Sequence, residues 1–120
     1  MRIYWMIAAF FLLSACSSQS YSKNIERNGQ ASWYGSHHQG KKTANGERFN
    51  QHELTAAHRT LPFGTKVKVT NARTNKSVIV RINDRGPYAK GRIIDLSRAA
   101  AQQLNIVNSG VAPVHIQVIR

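Results

Sequence analysis

Cysteine is almost missing from this chain of 120 residues. There is one, Cys16, beside three prolines, five acidic residues and a single sustained apolar run, Ile3 to Leu13. One cysteine excludes an internal disulfide and every cysteine-based zinc pattern, so stability must come from packing and backbone pairing. The histidines do not stand in for it. His37 and His38 are adjacent, which turns them apart on an extended chain, and His52 and His58 add no metal-ligand spacing. No metal and no cofactor are expected. The apolar run is too short to cross a bilayer, which takes roughly 20 residues. No phosphate-cradling glycine loop and no Ser/His/Asp arrangement is present. Scarce acids leave a carboxylate mechanism Glu47, Glu53, Asp84 and Asp95, since Glu26 falls in a polar connector.

What is present begins with an address. Arg2 precedes the apolar run, which ends at Leu13-Ser14-Ala15-Cys16. Small residues ahead of a cysteine form the lipobox of a bacterial lipoprotein, so residues 1–15 read as a signal peptide and Cys16 as the lipidated residue. An ordinary signal beside a free thiol is the alternative. Ser17, where Asp would retain the protein in the inner membrane, favours the periplasmic face of the outer membrane. Residues 16–28 are polar and serine-rich, a tether that reaches at most about 40 Å. Residues 29–120 then form one domain.

The formal charge is +12. A charge this large concerns partners rather than fold. An exported lipoprotein meets no nucleic acid, which leaves lipid head groups and cell-wall glycan as the anions on offer. Muramic acid exposes a carboxylate wherever its stem peptide has been removed, so a basic surface suits peptide-free strands. A merely solubilising surface is the other reading. A monomer is expected.

Beyond Gly29 the pattern is mostly β. Gln30 to Tyr34, Leu54 to Ala57, Lys66 to Val69, Val78 to Ile82, Ile93-Ile94 and Val114 to Val118 read as short strands, with turn residues Asn71 to Lys76 making a hairpin. One helix is expected: Ser97 caps it, and Leu96, Ala100, Leu104 and Val107 share a side. Six strands and one small helix suggest an all-β barrel. Gly64 to Val69 and Val111 to Ile116 look faintly alike, as a duplicated half-barrel would.

Several residues carry two readings. The Asn45-Gly46 pair demands a tight turn and presents Glu47 on a loop, either as a functional acid or as a surface acid paired with Lys41 or Arg48. Glu53 reads as surface. Asp84 ends a strand before Gly86-Pro87, where a rigid mount suits a general acid, unless Arg85 pairs with it structurally. Asp95, between Ile94 and Leu96, reads as buried and held by an arginine such as Arg85 or by the helix start. His58 can orient a carboxylate, bind sugar or cap a core turn, and His115 reads as an ordinary strand residue. Trp33 and Tyr34 offer a stacking surface for sugar or simple core packing.

Six motifs then fall in register: Ala31 to Gly35, Thr43 to Glu47, Leu54 to His58, Leu61 to Thr65, Val80 to Pro87 and Arg92 to Ser97. In order and spacing they resemble the rare lipoprotein A family, across about residues 29–120. The resemblance implies a six-stranded double-psi β-barrel and lytic transglycosylation of peptidoglycan strands that lack stem peptides, leaving 1,6-anhydromuramic ends. It places the family's functional acids on Glu47 and Asp84, with His58 alongside. Asp84 would protonate the glycosidic oxygen, and Glu47 would steer charge or take the 6-hydroxyl proton. Trp33, Tyr34, Asn45 and Arg85 are the expected substrate contacts. Longer members carry a C-terminal glycan-binding domain, and this chain reads as a short form without it. The alternative functions are a non-catalytic glycan-binding or wall-loosening module of the expansin kind, or a lipoprotein bridging membrane and wall.

Overall fold

The structure, a computed structural model, describes residues 27–119. The apolar run, Cys16 and the connector through Glu26 lie outside the described residues, so the expectations placed on them concern segments beyond this description. Six strands follow in chain order: β1 (Asn28–Trp33), β2 (Thr55–Ala57), β3 (Lys66–Asn71), β4 (Ser77–Asp84), β5 (Arg92–Leu96) and β6 (Val111–Val118). A single turn of 3-10 helix covers Ser36–His38, and one short helix, α1, covers Arg98–Gln103.

The strands close into a barrel in the order β1-β5-β2-β4-β3-β6. The pairs β1/β5 and β2/β4 are parallel and the other four are antiparallel. This is the all-β, six-stranded double-psi barrel with one short helix. Exchanging β1, β2 and β3 for β4, β5 and β6 maps the strand order onto itself. The two stretches that look alike in sequence therefore sit on equivalent strands, β3 and β6, which are antiparallel neighbours.

Period-two alternation builds the interior. Val67 and Val69 of β3, Val78, Val80 and Ile82 of β4, and Ala112, Val114 and Ile116 of β6 are buried, while Lys66 and Lys68 between them are exposed. A one-residue slip would put lysine in the barrel, so the register is strongly specified. The β3–β4 hairpin is anchored by Asn71, which is buried and donates its side-chain amide to the Leu104 carbonyl at 2.9 Å.

Ser97 caps α1 by accepting from the Ala100 N–H at 3.2 Å. The helix stops at Gln103, so Val107 lies beyond it and only partly buried against the core. Asn105 supplies the reason. It adopts φ 62°, and the Ile106 N–H reaches the Ala101 carbonyl at 3.0 Å, the left-handed C-terminal closure of a helix.

Candidate active site

The residues around Asp84 come from three separate stretches of chain. Asp84 ends β4, Tyr34 follows β1, and the 43–47 turn lies between them in sequence. That turn closes through Thr43 N–H to the Glu47 carbonyl (2.8 Å) and Gly46 N–H to the Thr43 carbonyl (3.0 Å). Gly46 sits at φ 96°, a conformation glycine adopts freely. The turn aims the Ala44 N–H at Asp84 Oδ1, 2.8 Å away. Oδ1 also accepts the Arg85 N–H at 2.9 Å, and Oδ2 accepts the Tyr34 hydroxyl at 2.7 Å. All three donors are uncharged. Burial, then the bond to Asp84, pushes the Tyr34 phenol well above its usual range, so it remains a donor.

Glu47 lies behind this arrangement, outside the lining of the cleft described below. Arg81 grips it with two bonds of 2.7 and 3.1 Å, and Asn83 and Asn45 each donate at 3.0 Å. Arg81 and Asn83 are two apart on β4, so both side chains reach the same face. These donors, Arg81 foremost, hold the Glu47 pKa down at about 2. Neither Lys41 nor Arg48 is its partner: Arg48 donates instead to the Gly40 carbonyl. Asn45, expected to touch substrate, is occupied inside the turn by Thr43 and Glu47.

His58 is buried, and its Nδ1 accepts the Thr60 and Leu61 N–H groups, both at 3.1 Å. Its backbone N–H donates to the Asp84 carbonyl at 3.2 Å. The structure thus places it behind the end of β4, capping a turn. The Arg85 guanidinium pairs with neither Asp84 nor Asp95. It spans the carbonyls of His58 (3.2 Å) and Leu61 (2.8 Å) and stacks on Phe63 at 4.0 Å. The arginine that holds Asp95 is Arg92, at 2.8 Å, with a short hydrogen bond from the Ser32 hydroxyl as well.

A cleft of about 360 Å³ opens over Asp84. Tyr34 and His38, stacked with ring centres 5.0 Å apart, line one part of it. The 85–92 segment, carrying Arg85, Tyr88 and Arg92, lines another, and Asp95 is exposed to the same space. Tyr88 is 74% exposed. Trp33 lies outside this lining, half-buried against the core with Arg98 5.4 Å over its ring. Tyr34 lines the cleft but is largely covered, its ring packed against His38 and Phe49. Sequence reasoning gave no role to His38, Tyr88 or Arg92. The sequence signal for Tyr88 is an aromatic placed directly after the Gly86-Pro87 turn.

A family model described as lytic transglycolase matches residues 26–116. A protein of Synechocystis named "Probable endolytic peptidoglycan transglycosylase RlpA" is 61% identical over 78% of this chain and 29% of its own length. One from Campylobacter jejuni, named "Endolytic peptidoglycan transglycosylase RlpA", is 58% identical over 76% of this chain and 33% of its own. The chain thus spans about a third of the curated relatives it matches. Among solved structures, a Streptomyces papain inhibitor superposes with a TM-score of 0.63 at 22% identity, covering 81% of this chain and 98% of the inhibitor. A Clavibacter michiganensis expansin does so with a TM-score of 0.61 at 24% identity, over 78% of this chain and 50% of the expansin. These two likenesses concern the barrel alone. With its family model spanning the barrel and relatives above half identity, the chain belongs to the lytic transglycolase family of double-psi barrels.

Proposed function

We propose that this domain is a lytic transglycosylase that cleaves peptidoglycan glycan strands, with a preference for strands lacking stem peptides. The observation that carries the reading is Asp84, held by three uncharged donors and opening into a cleft of a size typical for ligand sites. A carboxyl so fixed can protonate the glycosidic oxygen as its bond to C1 breaks. The muramic 6-hydroxyl then closes on C1 and leaves a 1,6-anhydro end. No water has to be activated, so the wide carboxyl spacing of an inverting hydrolase is not required. The names carried by the relatives point to the same chemistry.

Glu47 works from behind. With a pKa near 2 and its oxygens occupied by Arg81, Asn83 and Asn45, it is a fixed anion rather than a proton acceptor. It shapes the turn that aims Ala44 at Asp84. His58 and Arg85 likewise fix the loop beside the strand end. Excess positive charge supports the preference for strands with free lactyl carboxylates. Lipidation of Cys16 would hold the domain on the periplasmic face of the outer membrane, a placement supported by the Leu13 to Cys16 motif.

The test is incubation with peptide-stripped peptidoglycan and mass spectrometry of the products, with Asp84→Asn in parallel. Anhydromuramic ends that disappear in the variant are expected. Reducing ends would indicate a hydrolase. Sedimentation with glycan but no new ends would indicate a binding module.

A further inference from the structure

A second carboxylate, Asp95, lines the same cleft as Asp84, and strand pairing brings the two near each other. Ala57 of β2 is the partner of Asp84 on β4 and also of Asp95 on β5. Two strand spacings place the two aspartate Cα atoms about 10 Å apart. The β2–β4 register shifts between Ala56 and Ala57, and with that irregularity both acids open into the same cleft. Ala57 is buried in a small cluster with Tyr34 and Phe49. Tyr34 donates to Asp84, and its phenol also feels the charge of Asp95.

The two acids are held differently. Asp84 has only uncharged donors. Asp95 has a cation, Arg92, and both Arg92 and Ser32 bind its Oδ1. Among the described residues Oδ2 has no hydrogen-bond partner and is not sealed from solvent. The side chain is 15% exposed, and that exposure is to the cleft. Both oxygens of Asp84 are engaged by the protein, whereas Asp95 keeps one oxygen, Oδ2, available to a group entering the cleft.

We infer that Asp95 is a second catalytic residue, the base whose Oδ2 receives the proton of the attacking sugar hydroxyl. This rests on the transglycosylase reading above and deepens it. In the step, the C1–O4 glycosidic bond breaks and an O6–C1 bond forms. Asp84 gives its proton to O4, and the O6 proton passes to Asp95. Exchange with solvent then restores both groups, and no other reactant is consumed. The role falls to Asp95 rather than Glu47 because Asp95 opens into the cleft and Glu47 does not.

Asp95→Asn preserves size and hydrogen bonding to Ser32. Its kcat for anhydromuramic end formation is expected to fall at least about 100-fold, with KM changed less than about threefold. Asp95→Ala should regain turnover on addition of formate, a small anion that fits the vacated carboxylate position. A buried structural ion pair would show neither the split nor the rescue. Turnover by Asp95→Asn within about threefold of the parent would overturn the assignment, as would a folded Asp95→Ala that formate does not revive. If both variants lose their folded circular dichroism, Asp95→Glu decides. A folded Glu variant at least about tenfold slower supports the role, and one at the parent rate refutes it. A parent that forms no anhydro ends removes the reading beneath the proposal. An active parent with an inactive Asp84→Asn leaves that reading standing whatever Asp95 does.

Discussion

Glu47→Gln separates a scaffolding role from a chemical one. The substitution keeps the side-chain shape but replaces one carboxylate oxygen by an amide, which sets N–H groups against the donors of Arg81, Asn83 or Asn45. Folding holds the Glu47 pKa at about 2 against 4.5 for the free side chain, and that shift corresponds to about 3 kcal/mol. A third of the side chain is exposed, at 33%, so screening reduces the usable part to about 1–2 kcal/mol. For a domain of this size that is a drop in thermal midpoint of roughly 5–10 °C at neutral pH. The sign of the pH dependence follows from a lowered pKa. The stabilisation is complete above pH 4.5 and is lost as pH falls through about 2. The gap between parent and variant should therefore be full at pH 7 and nearly closed at pH 2. Urea or thermal unfolding at both pH values reads this directly. Turnover should fall together with stability, because the 43–47 turn that carries Ala44 loosens. A variant that melts with the parent at pH 7 yet makes no product would refute the scaffold and return Glu47 to the chemistry.

Other outcomes follow from the same geometry. Tyr34→Phe removes the 2.7 Å bond to Asp84, a loss of about 1–3 kcal/mol that should appear in kcat more than in KM by steady-state kinetics. Tyr88→Ala strips the exposed aromatic from the cleft wall and should weaken binding of peptide-free glycan about three- to tenfold by calorimetry, with stability unchanged. Asn71→Ala orphans the Leu104 carbonyl and should cost about 1–3 kcal/mol in urea unfolding, with kcat near that of the parent. Cys16→Ser should abolish labelling by palmitate and move the protein from the membrane to the soluble fraction.

The strands of this barrel were legible because period two is written plainly in them. Lys66 to Val69 alternates so cleanly that only one register keeps its lysines out of the core. The apolar run Val78 to Ile82, whose Ile79 faces outward, supplies the second strand of the hairpin. The cap at Ser97 was legible too, being a local property of one side chain and the next turn. The end of α1 was not. Val107 continues the apolar stripe, and only the left-handed Asn105 cuts the helix short. The short strand seen at Ile93-Ile94 is longer in the fold, because Arg92 and Leu96 pair with Gln30 and Trp33 of β1.

The candidate site divides along the same line. By itself the sequence determined the compositional limits, the barrel strands and the presence of Asp84 on a rigid strand end. Each of these follows from neighbours along the chain. Partners were a matter for the tertiary structure alone. Glu47 chose Arg81 over the nearer Lys41 and Arg48, Arg85 turned to the carbonyls of His58 and Leu61, and Asp95 took Arg92 and Ser32. The physical reason is that a hydrogen bond is set by which backbone segments the barrel brings within 3 Å. Parallel pairing of β2 with β4 and antiparallel pairing of β2 with β5 put Asp84 and Asp95 on either side of Ala57. Nothing in the local pattern around either aspartate encodes that encounter, because it exists only once the barrel has closed.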